Sequence, residues 1–295
     1  MASLRAYIGA WMVRRNVRAR LGAMDDIAQV RRTFNGATFP DPPAATYEAG
    51  SLGGVAGEWV RPRSEGNLRL FYIHGGGFVA CSPKTHRPVT GGFATRGFTV
   101  FAPDYRLAPE HPFPAGRDDA LAAWCAFAEG GPACIAGDSA GGNLALAVML
   151  AARDRGLPMP QAAALFSPVT DLAATTGSRV SNALRDAMFN PQSLAKLGPM
   201  YLAGHDARDP EASPIYADPT GLPPLLFHVG EREILRDDSV RMAEKARAHG
   251  VDATAEVFPV VNHVWQFADH RLPEARRSLD TAAAFMKRHA GAGRA

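Results

Sequence analysis

"IAGDSAGGNLALAVMLAA" occupies residues 135–152, and the fold turns on how it is read. An apolar run precedes Ser139, small residues flank it, and an alanine- and leucine-rich stretch comes after. Gly137-Asp138-Ser139-Ala140-Gly141 fits G-x-S-x-G, a strained strand-to-helix turn that lifts a serine hydroxyl out of a sheet. So tight a turn has no room for bulk, which is why glycine stands on both sides of the serine. A closely packed, glycine-rich helix start would use the same residues. The serine is a nucleophile only if the chain also supplies a base, a carboxylate to orient the base, and donors for an oxyanion.

Outward from this stretch the same pattern repeats. "NLRLFYIHGGG" (67–77), "RGFTVFAPDYR" (96–106), "AAALFSPVTD" (162–171), "LPPLLFHVG" (222–230) and "VDATAEVFP" (251–259) read as strands. Between them "GRDDALAAWCAFA" (116–128), the stretch after Ser139 and "DDSVRMAEKARAHG" (237–250) read as helices, the last closed by Gly250. Apolar strands alternating with helices predict an α/β fold, a mostly parallel sheet with helices on both faces. "DDIAQVRRTF" (25–34) predicts an earlier helix from the spacing of Ile27, Val30 and Phe34, and "PDPPAA" (40–45) separates it from the strand-bearing part of the chain. Residues 171–219 form a long excursion between strands.

Bulk properties exclude several classes. A net charge of +3 over 295 residues argues against a general nucleic-acid binder. Charge is uneven: residues 1–32 carry seven arginines against two aspartates, a local +5, and the remainder sums to −2. Cys81, Cys125 and Cys134 form no CxxC or Cys/His cluster, which fits a reducing, cytoplasmic compartment and no metal site. No apolar run reaches the roughly 18 residues of a membrane span. Arginines interrupt the N-terminal stretch too early for a signal peptide. Residues 1–22 read either as a basic amphipathic helix resting on an anionic membrane or as a helix whose Leu4, Ile8, Trp11, Met12 side packs on the protein itself; the second is the expectation, without stable membrane association.

In an open parallel sheet the chemistry collects beyond the carboxyl ends of the strands. Three glycines, Gly75 to Gly77, come directly after one strand and leave backbone N–H groups free to point at one spot. No Gly-Lys-Ser/Thr comes after them, which excludes a phosphate loop. Ala140, at the helix start, offers a further N–H where the helix dipole favours negative charge. His263 stands just after the last strand. Of the nine histidines it is the best placed for a base; His270 lies further on and His289 is in a tail helix. The orienting carboxylate belongs after "LLFHVG", where Glu231, Glu233, Asp237 and Asp238 are candidates. Position favours Glu233, with Asp237 or Asp238 at the N-cap of the next helix.

"HGGGF" (74–78), "PDYRLAPEHPFPA" (103–115), "GDSAGGNLA" (137–145) and "NHVWQF" (262–267) together resemble the bacterial hormone-sensitive-lipase-type carboxylesterases, which have the α/β-hydrolase fold. The resemblance covers nearly the whole chain. It implies an N-terminal helical cap segment (1–45) and a hydrolase core (46–295) carrying a cap insertion at about 171–219. It implies Ser139 as nucleophile, His263 as base, and Gly76, Gly77 and Ala140 as oxyanion donors. His74, Tyr105, Arg106 and Glu110 would anchor the loop. The family usually has an aspartate where this chain has Glu233, and Asp237 matches a second, structural aspartate. Glu233 is therefore the expected acid and Asp237 the alternative. Phe34, Phe78, Asp138, Met188, Phe189 and Trp265 are expected at the substrate pocket. The implied activity is hydrolysis of short-chain carboxylic esters without metal or organic cofactor, with a homodimer through the sheet edge. A lactonase or amidase using the same groups is the alternative; a non-catalytic ligand-binding relative would have lost the serine or histidine.

Overall fold

The computed structural model describes residues 2–22, 26–36, 39–63, 66 and 68–292. Eight strands form one sheet: β1 (Ala45–Leu52), β2 (Val55–Pro62), β3 (Leu68–Ile73), β4 (Phe98–Pro103), β5 (Cys134–Asp138), β6 (Ala163–Phe166), β7 (Leu225–Gly230) and β8 (Ala253–Phe258). Their order is β1-β2-β4-β3-β5-β6-β7-β8. The pairs from β4 to β8 are parallel, and β1 and β2 add an antiparallel edge.

Both sheet faces are apolar because successive side chains point to opposite sides. Phe71, Ile73, Phe101, Ile135, Leu165 and Phe227 pack on one face, beneath the helices Ala115–Glu129, Ser139–Asp154 and Arg236–Ala248. Leu70, Tyr72, Val100, Ala136, Phe166 and Leu226 pack on the other, beneath Arg87–Ala94 and Pro273–Ala292. This is the α/β fold expected from the alternating strands and helices. The hairpin β1–β2 was absent from that expectation. Its strands are half exposed and not continuously apolar, and Gly53-Gly54 makes its turn.

Two segments lie over the carboxyl ends of the parallel strands. The first is the helix Leu4–Val13, continued by a wider turn at Arg14–Arg18 and by Ala19–Gly22, with the helix Ile27–Asn35 after it. Asp26 caps that second helix by accepting from the Ala28 N–H; Asp25, expected inside it, lies outside the described residues. The second is the excursion between β6 and β7, with short helix Ser178–Ser181 and helix Pro191–Leu202. Arg18 joins the two, donating to the carbonyls of Ala183, Asp186 and Phe189.

The structure corrects two expectations. Only part of the N-terminal apolar stripe faces the protein: Ile8 and Met12 line the central cavity, while Leu4 (75% exposed) and Trp11 (59%) turn to solvent. The buried contact is made by Ala6 against Phe258, Val261 and Trp265. Asp237 and Asp238 lie in the first turn of Arg236–Ala248 and are not its N-cap.

Candidate active site

β5 ends at Asp138 and the helix begins at Ser139, which sits at φ +53°. A side chain held in the left-handed region is strained, and persists only where the surroundings over-determine it. Here they do. A Cβ added at Gly141 would lie 2.1 Å from the carbonyl oxygen of Ile73 and 2.4 Å from that of His74. The helix start is pressed against the end of β3, so bulk is excluded beside the serine.

The loop after β3 folds back on itself. The Gly76 carbonyl accepts from the Val79 N–H at 3.2 Å and the Ala80 N–H at 3.1 Å, with Gly76 at φ +117°, where only glycine is unstrained. The N–H groups of Gly76 and Gly77 bond no group among the described residues, and both residues line the cavity together with Ser139. The loop is held from behind. Tyr105 donates its hydroxyl to the His74 carbonyl at 2.8 Å, and the two rings stack at 4.3 Å. Burial, with the nearby His86, pushes His74 down to about 3, so its ring is neutral and its Nδ1 donates to the Gly75 carbonyl. Asp138 accepts from the Tyr72 hydroxyl at 2.7 Å and the Gly75 N–H at 3.2 Å, and faces His86 Nε2 at 3.3 Å. Burial opposes its charge, but His86 and these hydrogen bonds keep its pKa below the usual carboxylate value. Asp138 thus reaches the cavity wall while spending its carboxylate on the loop. Of the other anchors, Arg106 pairs with Asp119, and Glu110 acts through Arg31, whose Nε donates to the Val79 carbonyl at 2.9 Å.

His263 and Glu233 meet from the ends of β8 and β7. The Nδ1 of His263 lies 2.7 Å from Glu233 Oε2, with both residues buried. Glu233 Oε1 accepts from the Gly230 N–H at 2.6 Å and the Ser167 hydroxyl at 2.8 Å. The carboxylate is therefore fully engaged, as a buried charge must be. Burial disfavours the imidazolium, but the Glu233 hydrogen bond and charge, helped by Asp186 and Asp138, outweigh it and raise the His263 pKa. Nε2 has no hydrogen-bond partner among the described residues. The competing carboxylates are committed elsewhere: Asp237 to the Ser178 N–H, Asp238 to the N–H groups of Thr170 and Asp171, and Glu231 to Arg185.

The cavity above these groups measures about 1470 Å³. Phe34, Phe78, Met188 and Phe189 line it as expected. Phe78 stacks on Tyr201 at 3.8 Å, and Phe189 meets the His263 ring edge-to-face at 4.9 Å. Trp265 touches the wall but packs behind it on Phe258, with its N–H given to the Glu274 carbonyl. Three contributors escaped the sequence reading. Ser167 holds the glutamate. Asp186 holds the N–H groups of Met188, Phe189 and Ile234, tying the cap to the Glu233 loop. Leu197 packs against the oxyanion loop, its Cδ1 2.7 Å from where a Gly77 Cβ would stand. Only Ser167, at the carboxyl end of its strand, had a signal that could have found it.

Residues 70–267 match a family model described as alpha/beta hydrolase fold. The chain belongs to that family. Within it the relatives are esterases: an acetyl-hydrolase of Streptomyces hygroscopicus is 40% identical over 248 residues, 82% of this chain and 83% of that one. Solved structures agree. An esterase/lipase from an uncultured bacterium superposes with TM-score 0.93 at 36% identity, covering 98% of this chain and all (100%) of that one. An esterase of the bacterial hormone-sensitive lipase family gives TM-score 0.88 at 34% identity over 98% of this chain and 100% of its own. This α/β hydrolase is thus a carboxylesterase of the hormone-sensitive-lipase type. Among its described residues no helix is long and apolar enough to cross a membrane.

Proposed function

We propose that Ser139, His263 and Glu233 carry the ester hydrolysis through an acyl-enzyme. His263 Nε2 takes the Ser139 proton as Oγ attacks the ester carbonyl carbon. The carbonyl oxygen becomes an oxyanion, held by the N–H groups of Gly76, Gly77 and Ala140; the last opens a helix whose dipole favours the charge. Glu233 keeps the imidazole in the tautomer with Nδ1–H and stabilises the imidazolium. The C–O bond to the alcohol breaks, and Nε2–H protonates the leaving oxygen. Water then gives a proton to Nε2 and attacks the acyl-serine, releasing the carboxylic acid and restoring Ser139. The observation that carries this reading is the 2.7 Å contact between His263 Nδ1 and Glu233, beside an unpaired Nε2 and a serine on the strained turn.

The acyl side is short. Leu197 crowds the oxyanion loop and Phe189 crowds His263, so a long chain on that side would meet side chains. The rest of the cavity is far larger than a short acyl group needs, and it suits a bulky apolar alcohol. Labelling by a fluorophosphonate, abolished in Ser139→Ala, tests the nucleophile. A p-nitrophenyl ester series tests the acyl limit, with a peak expected at roughly two to six carbons, since a methylene gains about 0.8 kcal/mol only where a slot receives it. A maximum at twelve carbons would overturn the short-acyl reading. Faster turnover of a lactone or anilide would overturn the ester preference.

A further inference from the structure

Exposed apolar side chains are gathered at one place on this molecule. Among the described residues the large exposed hydrophobics are Leu4, Tyr7, Ile8, Trp11, Met12, Phe39, Val180, Leu184 and Val257. Five of them stand on the single helix Leu4–Val13. Spacings of three and four from Leu4 to Tyr7, Ile8, Trp11 and Met12 place them on one side of it. Val180 and Leu184, each 81% exposed, stand on the neighbouring lip, joined to the N-terminal helical segment where Arg14 donates to the Leu184 carbonyl. Ile8, Met12, Val180 and Phe39 also line the cavity. The apolar patch is therefore the rim of the opening above Ser139. Val257 alone lies elsewhere, on edge strand β8.

The charge carried by the N-terminal segment itself has one sign, although Glu274 accepts from Ser3 at its start. Residues 2–22 contain Arg5, Arg14, Arg15, Arg18 and Arg20 and no acidic residue. The Arg5 and Arg14 donors go to carbonyl oxygens, which leaves their charge unneutralised. Arg15 lies over the Trp11 ring at 5.6 Å. Contiguous exposed apolar surface of this kind marks an interaction site. An apolar stripe with a tryptophan, on a segment that itself carries five arginines and no acidic residue, matches the acyl boundary and the anionic headgroups of a lipid surface.

We propose that this rim docks reversibly on an anionic lipid surface, so that apolar esters dissolved in the lipid enter the cavity without crossing water. The docking is peripheral, since the helix is short and its underside is occupied by Ala6 against the core. The proposal rests on the esterase reading only in naming the rim as the substrate's way in; binding is measured without turnover.

The test is sedimentation with sucrose-loaded vesicles of phosphatidylcholine alone or with 30% phosphatidylglycerol, a composition set at about the level that gives a marked surface potential. Trp11 emission serves as a second readout, because Trp124 and Trp265 are buried and Trp59 is half-buried. Binding to the anionic vesicles with a blue shift is expected, and each arginine near the surface should raise partition about fivefold. Leu4→Ser with Trp11→Ser, and separately Arg15→Glu with Arg20→Glu, should each lower binding about tenfold or more while hydrolysis of a water-soluble ester stays unchanged. No binding to anionic vesicles, equal binding to neutral ones, or a stripe covered by a second copy in sedimentation velocity would overturn the proposal. Loss of soluble-ester turnover in the Ser139→Ala control with vesicle binding intact keeps the two readings separate.

Discussion

The strand ends and the cap solve different problems with different materials. At the strand ends the carboxylates of the site are buried and held by fixed counterparts: Glu233 takes Gly230, Ser167 and His263, and Asp138 takes Tyr72 and Gly75. The cap is attached by arginines reaching to carbonyl oxygens, by Asp186, and by Ser178 and Asn182 bonded to the loop after β7, and part of its apolar surface faces outward. The difference teaches that the chemistry is built rigidly into the sheet, whereas selection of substrate is left to a softer layer. Substitutions in the first region should therefore fall on kcat, and substitutions in the second on KM and chain-length preference.

The largest effect breaks the chemistry outright. Ser139→Ala should lower kcat by about 10⁶-fold, and Glu233→Gln by about 10⁴-fold, the scale of triad losses elsewhere. Asp237→Asn should leave kcat within a few-fold, since its carboxylate serves the Ser178 N–H. Equal losses in Glu233→Gln and Asp237→Asn would dissolve the assignment of the acid. The pH profile sharpens it. His263 must be neutral to take a proton, and its pKa is raised. Activity should therefore be lost as pH falls through a midpoint above the usual histidine value of about 6.5. Glu233→Gln removes the carboxylate that raises that pKa, so residual activity should persist to lower pH. A midpoint that stays fixed would mean another group controls the limb.

The two regions also differed in how well sequence revealed them. The inner parallel strands announced themselves because both faces are buried, making them apolar runs such as Leu70–Ile73, whereas the edge strand β8 is partly exposed. The serine, the glycine loop and His263 all sit just after strands, and that position, with the glycine patterns around the first two, is what found them. The acid was the hardest of the set, because four carboxylates stand after β7 within eight residues; Asp238 is as buried as Glu233, and only the contact with His263 separates the two. The hairpin β1–β2 stayed hidden since an edge pair mixes exposed and buried positions without a clean period. Leu197 and Asp186 stayed hidden because the excursion reaches the site only through tertiary packing, about which local periodicity says nothing. The N-terminal stripe was misjudged for a related reason: an apolar face on a helix does not say what covers it.

A middle-sized effect lies where the two regions touch the same group. Ser167→Ala should lower kcat about tenfold at unchanged KM, the lower end for a hydrogen bond to a charged group. A larger change in KM than in kcat would place Ser167 in substrate binding instead. On the cap side, Leu197→Ala should shift the ratio of eight-carbon to four-carbon ester turnover upward by about tenfold, as opened space houses one or two more methylenes. An unchanged ratio would show that another wall sets the limit.

The smallest effect tests whether the cap steadies the chemistry at all. Arg31 forms an exposed pair with Glu110, and such pairs contribute little to stability, about 1 kcal/mol at most. The same guanidinium, however, donates to the carbonyls of Val79 and Ala108, just beyond the glycines that offer the oxyanion donors. Removing it in Arg31→Ala leaves those carbonyls to water and loosens the helix Ile27–Asn35, which carries Phe34 into the cavity. Tm should fall by only a few degrees, on the scale of a weak surface pair. KM should rise by less than about fivefold, one surface interaction's worth, with kcat nearly constant. If kcat falls more than KM rises, the cap helps to hold the oxyanion loop in register, and the division between a rigid wall and a soft lid is less complete than the packing suggests.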